Sequence, residues 1–187
     1  MKLIEPKFSY KIESKRIYLR PILITEINDK YINWLNNHEV NRFLETKEAT
    51  KNSIIKYIND LRKLNLDLFA IFENKTKKHI GNFSITSLKK NSACYGLMIG
   101  DREARLKGLG GDASLCIIKL LFENLSINSI EVSAYNENED ACLNLMALNF
   151  KIIKKDKIAT KFKLDYLDWK KGKIHNSIIG KGIKIIK

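Results

Sequence analysis

The chain has 187 residues and a mass of 21.6 kDa, enough for one good-sized domain and too little for two ordinary ones. Hydrophobic residues at 44% and charged residues at 29% exclude disorder, and two Pro with nine Gly exclude fibrous and low-complexity classes. The formal charge of +13 leaves nucleic acid, an acidic membrane surface or a phosphate-rich ligand as partners to weigh.

The opening stretch, MKLIEPKFSYKIESKR, has no long apolar core and no cleavage pattern, so no signal peptide is expected. Residues 16–22, RIYLRPI, alternate Ile17, Leu19 and Pro21 with Arg16, Tyr18 and Arg20, which is a strand by period. Thr25 then reads as the cap of a helix with apolar positions Ile27, Tyr31, Ile32, Trp34 and Leu35, ended by Asn36 and Asn37. A second amphipathic helix covers about 52–64, with Ile54, Ile55, Ile58, Leu61 and Leu64 on one face. Strands at 68–73, 80–87 and 92–100 follow, joined by polar turns, as an antiparallel meander. The Gly-rich basic stretch DREARLKGLGGDAS leads into an apolar helix, LCIIKLLFENL. A strand at 129–135, a short helix at 139–148 and a hairpin of 150–154 with 158–164 close the pattern. The order is one mixed α/β domain over 1–168, with a parallel crossover in its second half. Residues 169–187 read as a basic tail with no assigned structure.

No apolar run approaches ~18 residues, so no membrane span is expected and a cytoplasmic protein is the default. Cys94, Cys116 and Cys142 lie far apart, without a CxxC pair or a His spacing that builds a zinc site. They read as reduced, and no metal is expected. Only six basic residues are Arg and 28 are Lys, whereas nucleic-acid readers lean on Arg for bidentate contacts. Abundant Lys, Ile and Asn together fit an AT-rich genome, with the charge spread on a solvated surface. Residues 151–187 hold 12 Lys and three Asp, which is nine of the thirteen net charges. Specific nucleic-acid binding is therefore not the favoured reading.

The most informative stretch is R-L-K-G-L-G-G at 105–111. It follows a strand and opens a helix. Glycines there let a backbone approach a ligand closely, and the free N–H groups of the helix favour an anion. Arg102, Arg105 and Lys107 add charge beside it, so a phosphate or pyrophosphate is the expected ligand. The Walker pattern is absent, and the dinucleotide fingerprint fails as well, because Ala113 stands at its last position, the looser form, and the strand before it comes late in the chain rather than in a first βαβ unit.

Arg105, Gly108 and Gly110 in this context resemble the coenzyme A pyrophosphate loop, R-x-x-G-x-G, of the GNAT acetyltransferases. One strand later, the run from Asn138 through Ala141 and Leu148 to Phe150 is similar to a second GNAT pattern, N-x-x-[SA]-x-x-L-x-x-x-L-G-F, with Asn149 in place of glycine. Asparagine also tolerates left-handed geometry at a helix end. RIYLRPI, WLNNHEVNRFLE and HIGNFSI resemble the branch of ribosomal-protein, polyamine and nucleotide-sugar amine N-acetyltransferases. The resemblance spans about 14–165 and implies a single-domain α/β fold with a mostly antiparallel central sheet flanked by helices.

The resemblance also implies acetyl-CoA as co-substrate. It would be held by the backbone of Leu106, Lys107, Gly108, Leu109, Gly110 and Gly111 with Arg105, by strand pairing with Met98, Ile99 and Gly100, and by Asn138. A backbone N–H at Met98, Ile99 or Gly100 is the expected oxyanion donor. An alkyl amine has a pKa of ~10 and must lose a proton. Tyr95 and Tyr135 are candidates to face the cleft, and His38 and Glu39 lie before the second helix. The usual tyrosine acid of the N-x-x-A helix is replaced by Leu145. Trp34, Asn37, Glu39, Arg42 and Phe43 are the expected acceptor contacts, with Glu45 and Glu48 as acids toward a polyamine. A small amine such as a nucleotide-linked amino sugar leads, with a protein N-terminus or a polyamine as alternatives. A coenzyme A binder without transfer and a basic nucleic-acid module stay open, and a homodimer is compatible with this branch.

Overall fold

A computed structural model describes residues 2–44, 48–172 and 182–186. Strands β1 (Lys11–Glu13) and β2 (Ile17–Pro21) come first. Helices α1 (Asp29–Asn36), α2 (His38–Asn41) and α3 (Lys51–Lys63) follow. The meander is β3 (Leu68–Glu73), β4 (His79–Leu88) and β5 (Ser92–Ile99). Then come α4 (Arg102–Leu106), α5 (Leu109–Lys119), β6 (Ser129–Tyr135), α6 (Glu139–Ala147), β7 (Lys151–Lys155) and β8 (Ala159–Asp165). Helix α7 (Tyr166–Lys171) and strand β9 (Lys184–Ile186) end the described chain.

The strands form one sheet in the order β7-β8-β6-β5-β4-β3-β2-β1-β9. Every neighbouring pair is antiparallel except β5 with β6. Alternation sorts side chains onto two faces. Leu19, Phe69, Ile71, Phe83, Ile85 and Ile130 are buried in the core, and α5 lies against β2 and β5. Helix α5 is apolar nearly all round, with Ala113, Leu115, Cys116, Ile117 and Ile118 all buried, so it forms the centre of one layer. Its continuation, Leu120–Asn124, is a π-turn that buries Leu120, Leu121 and Phe122.

The predicted N-terminal helix starts later than expected. Asn28 is its cap, accepting the Tyr31 N–H at 3.2 Å. Thr25 sits instead in a short 3-10 turn, because the Glu26 carboxylate takes the Leu23 N–H at 2.8 Å, the Thr25 hydroxyl and the Arg20 guanidinium. Helix α3 is capped by Thr50 and carries a fully buried ion pair at its end. Arg62 Nε donates to Asp67 Oδ1 at 2.8 Å, and the rest of the guanidinium bonds the carbonyls of Ile4 and Ile22. That pair ties α3, the N-terminal segment and the start of β3 together.

The described parts of the expected tail, residues 169–172 and 182–186, pack onto the domain. Trp169 is 2% exposed and its ring meets Phe122 at 6.3 Å. Ile183 is buried, and β9 pairs with β1 at the sheet edge opposite β7. Isolated apolar residues in a Lys-rich run hid this, since three residues of β9 are too few for a period. Of the predicted tail, residues 173–181 and 187 lie outside the described residues.

Candidate active site

Parallel pairing of β5 with β6 covers only Ser92 with Ser129, Ala93 with Ile130 and Cys94 with Glu131. Yet β5 stays paired to β4 as far as Ile99, and β6 stays paired to β8 as far as Tyr135. The two central strands therefore part after Cys94 and Glu131 and leave a wedge-shaped gap between their C-terminal halves. Residues 96–99 are only half-buried there, in the middle of the sheet.

Backbone alternation decides which amides face the gap. The N–H groups of Gly100 and Asp101 both donate to the Ile80 carbonyl at 3.0 Å. In an antiparallel ladder this makes Met98 and Gly96 bond toward β4 as well, so Leu97 and Ile99 direct their N–H and C=O groups into the gap. Of the three residues expected to offer an oxyanion donor, Met98 and Gly100 are thus engaged by β4 and Ile99 is not. An unpaired strand edge in the middle of a sheet is a template for an extended, amide-bearing ligand.

The glycine-rich turn sits at the foot of this gap. A short helix not expected from the sequence, α4, is capped by Asp101, which accepts the Ala104 N–H at 3.1 Å. Gly108 then adopts φ +68°, the left-handed region that favours glycine, and is the cap residue of α5. It has no side chain to satisfy the first amides of the helix, so no cap occupies those of Leu109 and Gly110. The Leu109 side chain is buried and anchors the turn, and a Cβ on Gly110 would lie 3.5 Å from Ile99. Arg102, Arg105 and Leu106 are exposed beside it. Lys107, expected beside the phosphates, is turned to the Glu73 carboxylate, Nζ to Oε1 at 3.1 Å.

Helix α6 forms the other wall. Asn138 caps it, accepting the Ala141 N–H at 3.4 Å. Asn144 crosses to α5, donating to Ser114 Oγ at 3.0 Å. Leu145 is 4% exposed and offers no proton donor. Asn149 takes φ +69°, so the substitution for glycine keeps the left-handed turn after α6.

Two aromatic contacts define the mouth. The Phe43 ring stacks on Tyr135 with centroids 6.1 Å apart, and the Arg42 guanidinium lies 4.5 Å from the Phe43 centroid. These are side chains from the α2 end and from the tip of β6, so three expected site residues meet at one place. Trp34 covers Gly100 so closely that a Cβ there would fall inside the indole. It also meets His79 edge-on at 5.2 Å, with Lys30 Nζ 4.9 Å from its centroid. Asn37 and Glu39 are exposed and serve the start of α2, where Asn37 Oδ1 accepts the Glu39 N–H at 2.8 Å. Glu48 is exposed, and Glu45 lies outside the described residues.

Tyr95 is a correction. It is 6% exposed, and burial pushes its phenol well above the usual range against the opposing pull of the Ser114 hydroxyl. It shares a sheet face with Leu97 and Ile99 and lies beside Ser114 of α5, so it is part of the core. Tyr135 is 40% exposed at the mouth. The site residue that sequence reasoning missed is Arg16, which reaches the glycine turn from the start of β2. Its partners lie more than 90 residues away, so no local pattern marks it.

The acetyltransferase (GNAT) domain family matches residues 16–151 of this chain. The chain belongs to the GNAT acetyltransferases. Acetyltransferase PseH of Campylobacter jejuni is 28% identical over 141 residues, which is 71% of this chain and 85% of that protein. Among solved structures, apo FdhC, a nucleotide-linked sugar GNAT, superposes with a TM-score of 0.75 at 15% identity, covering 90% of this chain and 97% of that one. Spermidine N-acetyltransferase of Vibrio cholerae, in complex with CoA and spermine, gives a TM-score of 0.73 at 15% identity, covering 82% and 97%. At these identities the structural likeness shows the GNAT fold. Among the described residues no group of His, Cys, Asp and Glu could hold a metal, and no helix is long and apolar enough to cross a membrane.

Proposed function

We propose that this GNAT protein transfers the acetyl group of acetyl-CoA to a primary amine of a small molecule, and that a nucleotide-linked amino sugar is the acceptor. The parting of β5 from β6 above a capless, glycine-opened helix carries the first half of that reading. The pantetheine arm has amides that suit the Leu97 and Ile99 edge, and the pyrophosphate suits the Leu109 and Gly110 amides. The Asn138 side chain stands at the opposite wall. Acetyl-CoA brings an acetyl group already activated as a thioester.

The chain's own contribution is binding, orientation and exclusion of water. The gap-facing amides can also stabilise negative charge on a carbonyl oxygen. Among the described residues, no side chain placed in the gap is a built general base. His79 is the nearest imidazole to Trp34, but burial pushes it down to about 4, and its Nε2 is engaged with the Gly81 carbonyl at 3.0 Å. The ammonium proton is therefore taken by solvent through the open mouth. A thiol of pKa ~8.5 leaves without a dedicated acid, which suits Leu145.

The acceptor reading rests on charge and on relatives. Arg42 stands at the mouth, and the β7–β8 hairpin brings Lys154, Lys155 and Lys157 to the same end as Tyr135, through the Asn136 bonds to Ile158 and Asp156. Cations favour a diphosphate over a polyamine. FdhC acts within the same fold as a nucleotide-linked sugar enzyme. The test is thiol release from acetyl-CoA with a nucleotide-linked amino sugar, spermidine and an N-terminal peptide. The nucleotide sugar should turn over fastest. Faster spermidine would overturn the acceptor, and silence with all three while acetyl-CoA binds would support a binder without transfer.

A further inference from the structure

The glycine turn carries a carboxylate where it should carry none. Asp112 lies in the first turn of α5, close to the amides that an anionic ligand would use. A negative charge there stabilises the empty helix N-terminus, and by the same physics it opposes a bound phosphate. Arg16 resolves the conflict. Its Nε and Nη2 grip Asp112 Oδ2 and Oδ1 at 2.6 Å each, a bidentate pair. Its Nη1 donates to the Lys107 carbonyl at 2.9 Å, and Nη2 reaches the Gly108 carbonyl at 3.5 Å. One guanidinium therefore satisfies the carbonyl side of the turn and cancels the charge of its acid.

The grip comes from a fixed corner of the sheet. The Arg16 carbonyl accepts the Asn74 N–H at 2.8 Å, and the next residue, Ile17, pairs with Glu73. Glu73 in turn holds Lys107 and accepts the Thr76 hydroxyl at 2.6 Å. The Asp112 and Glu73 carboxylates are each only 13% exposed, but Arg16 at 47% and Lys107 at 49% face solvent, so each pair is shielded on its acid side alone. The turn from Lys107 to Asp112 is clamped at both ends by the β2–β3 corner.

We infer that Arg16 is a positioning residue for the cofactor turn: it holds the backbone of Lys107 and Gly108 in its anion-binding shape and neutralises Asp112 so that a pyrophosphate can approach. Glu73 is the second brace, and Lys107 serves as its counter-ion. The inference rests on the acetyl-CoA reading of the turn, and the test separates the two.

Four proteins are compared: wild type, Arg16→Ala, Asp112→Asn and the double variant. Each is titrated with acetyl-CoA and with acetyl-pantetheine, which lacks the pyrophosphate. Backbone hydrogen exchange is measured on the ligand-free proteins. Arg16→Ala should weaken acetyl-CoA by roughly tenfold, within the range of an uncompensated charge at a helix N-terminus. It should change acetyl-pantetheine by less than about twofold, because that ligand does not reach the turn. Adding Asp112→Asn should restore a clear part of the lost acetyl-CoA affinity. Without ligand, exchange across residues 106–111 should quicken in Arg16→Ala and stay near wild type elsewhere. Equal loss of both ligands, no recovery in the double variant, or unchanged exchange at the turn would overturn the inference. Failure of wild type to bind acetyl-CoA would refute the cofactor reading instead, and the exchange data would still decide whether Arg16 holds the turn.

Discussion

Replacing Gly100 by Ala probes how α1 is seated on the end of β5. The added methyl would fall inside the Trp34 indole, so the ring must leave its place between Lys30 and His79. Overpacking of this kind costs about 1–3 kcal/mol. In a chain of this length each kcal/mol lowers Tm by roughly 2–4 °C, so a fall of about 2–12 °C is expected. Trp34→Ala removes the obstacle, and in that background the Gly100→Ala step should cost less than about 0.5 kcal/mol. Denaturant unfolding of wild type, both single variants and the double variant measures the coupling. Fluorescence supplies a second readout, since the chain has two Trp and the other, Trp169, is buried against Phe122. Gly100→Ala should shift the emission through Trp34 alone. An equal cost of Gly100→Ala in both backgrounds, or an unchanged spectrum, would refute the placement of Trp34 over β5.

Three further outcomes follow from the same geometry. Asp67→Ala strands the fully buried Arg62 and should cost about 3–5 kcal/mol, a Tm fall of roughly 6–20 °C; a loss under about 1 kcal/mol would contradict the pair's role. His79 is held down to about 4 by burial, against the upward pull of its Gly81 bond, so its contribution to stability is full above about 6.5 and fades as pH falls toward 4. Its NMR titration should show a neutral ring until near pH 4, and a midpoint at an ordinary 6.5 would count against the packing around Trp34. Gly108→Val forces a β-branched residue to φ +68°, costing about 1–2 kcal/mol, yet its Cβ meets no protein atom within 4 Å. Its loss of acetyl-CoA affinity should therefore exceed its loss of acetyl-pantetheine affinity, measured by titration.

The parts of the site that were legible in the sequence are the local ones. Gly108 needs a left-handed backbone, Asn138 caps the helix after it, and Asn149 can replace a glycine at a left-handed turn. Each signal is contained within a dozen residues. The parting of β5 from β6 is set by what each strand pairs with on its far side, and nothing in either strand announces it. Tyr95 is legible from its alternation with Leu97 and Ile99, which assigns it to the apolar face under α5 rather than to the cleft. The position of Lys107 in the turn suggests a phosphate contact, whereas Glu73, 34 residues earlier, decides its direction. The net charge of +13 has no single site. Residues 151–165, the exposed edge strand β7 and its hairpin, hold six Lys and two Asp, four of the thirteen net charges, and there Lys also guards an unpaired strand against pairing with another chain.

The proposed transfer requires that the gap between β5 and β6, with the glycine turn at its foot, hold coenzyme A. A calorimetric titration of acetyl-CoA into the wild-type chain tests it most directly. The structure predicts one site per chain, with an affinity in the ~1 μM–1 mM range usual for enzyme substrates. No heat and no saturation up to millimolar acetyl-CoA would contradict it.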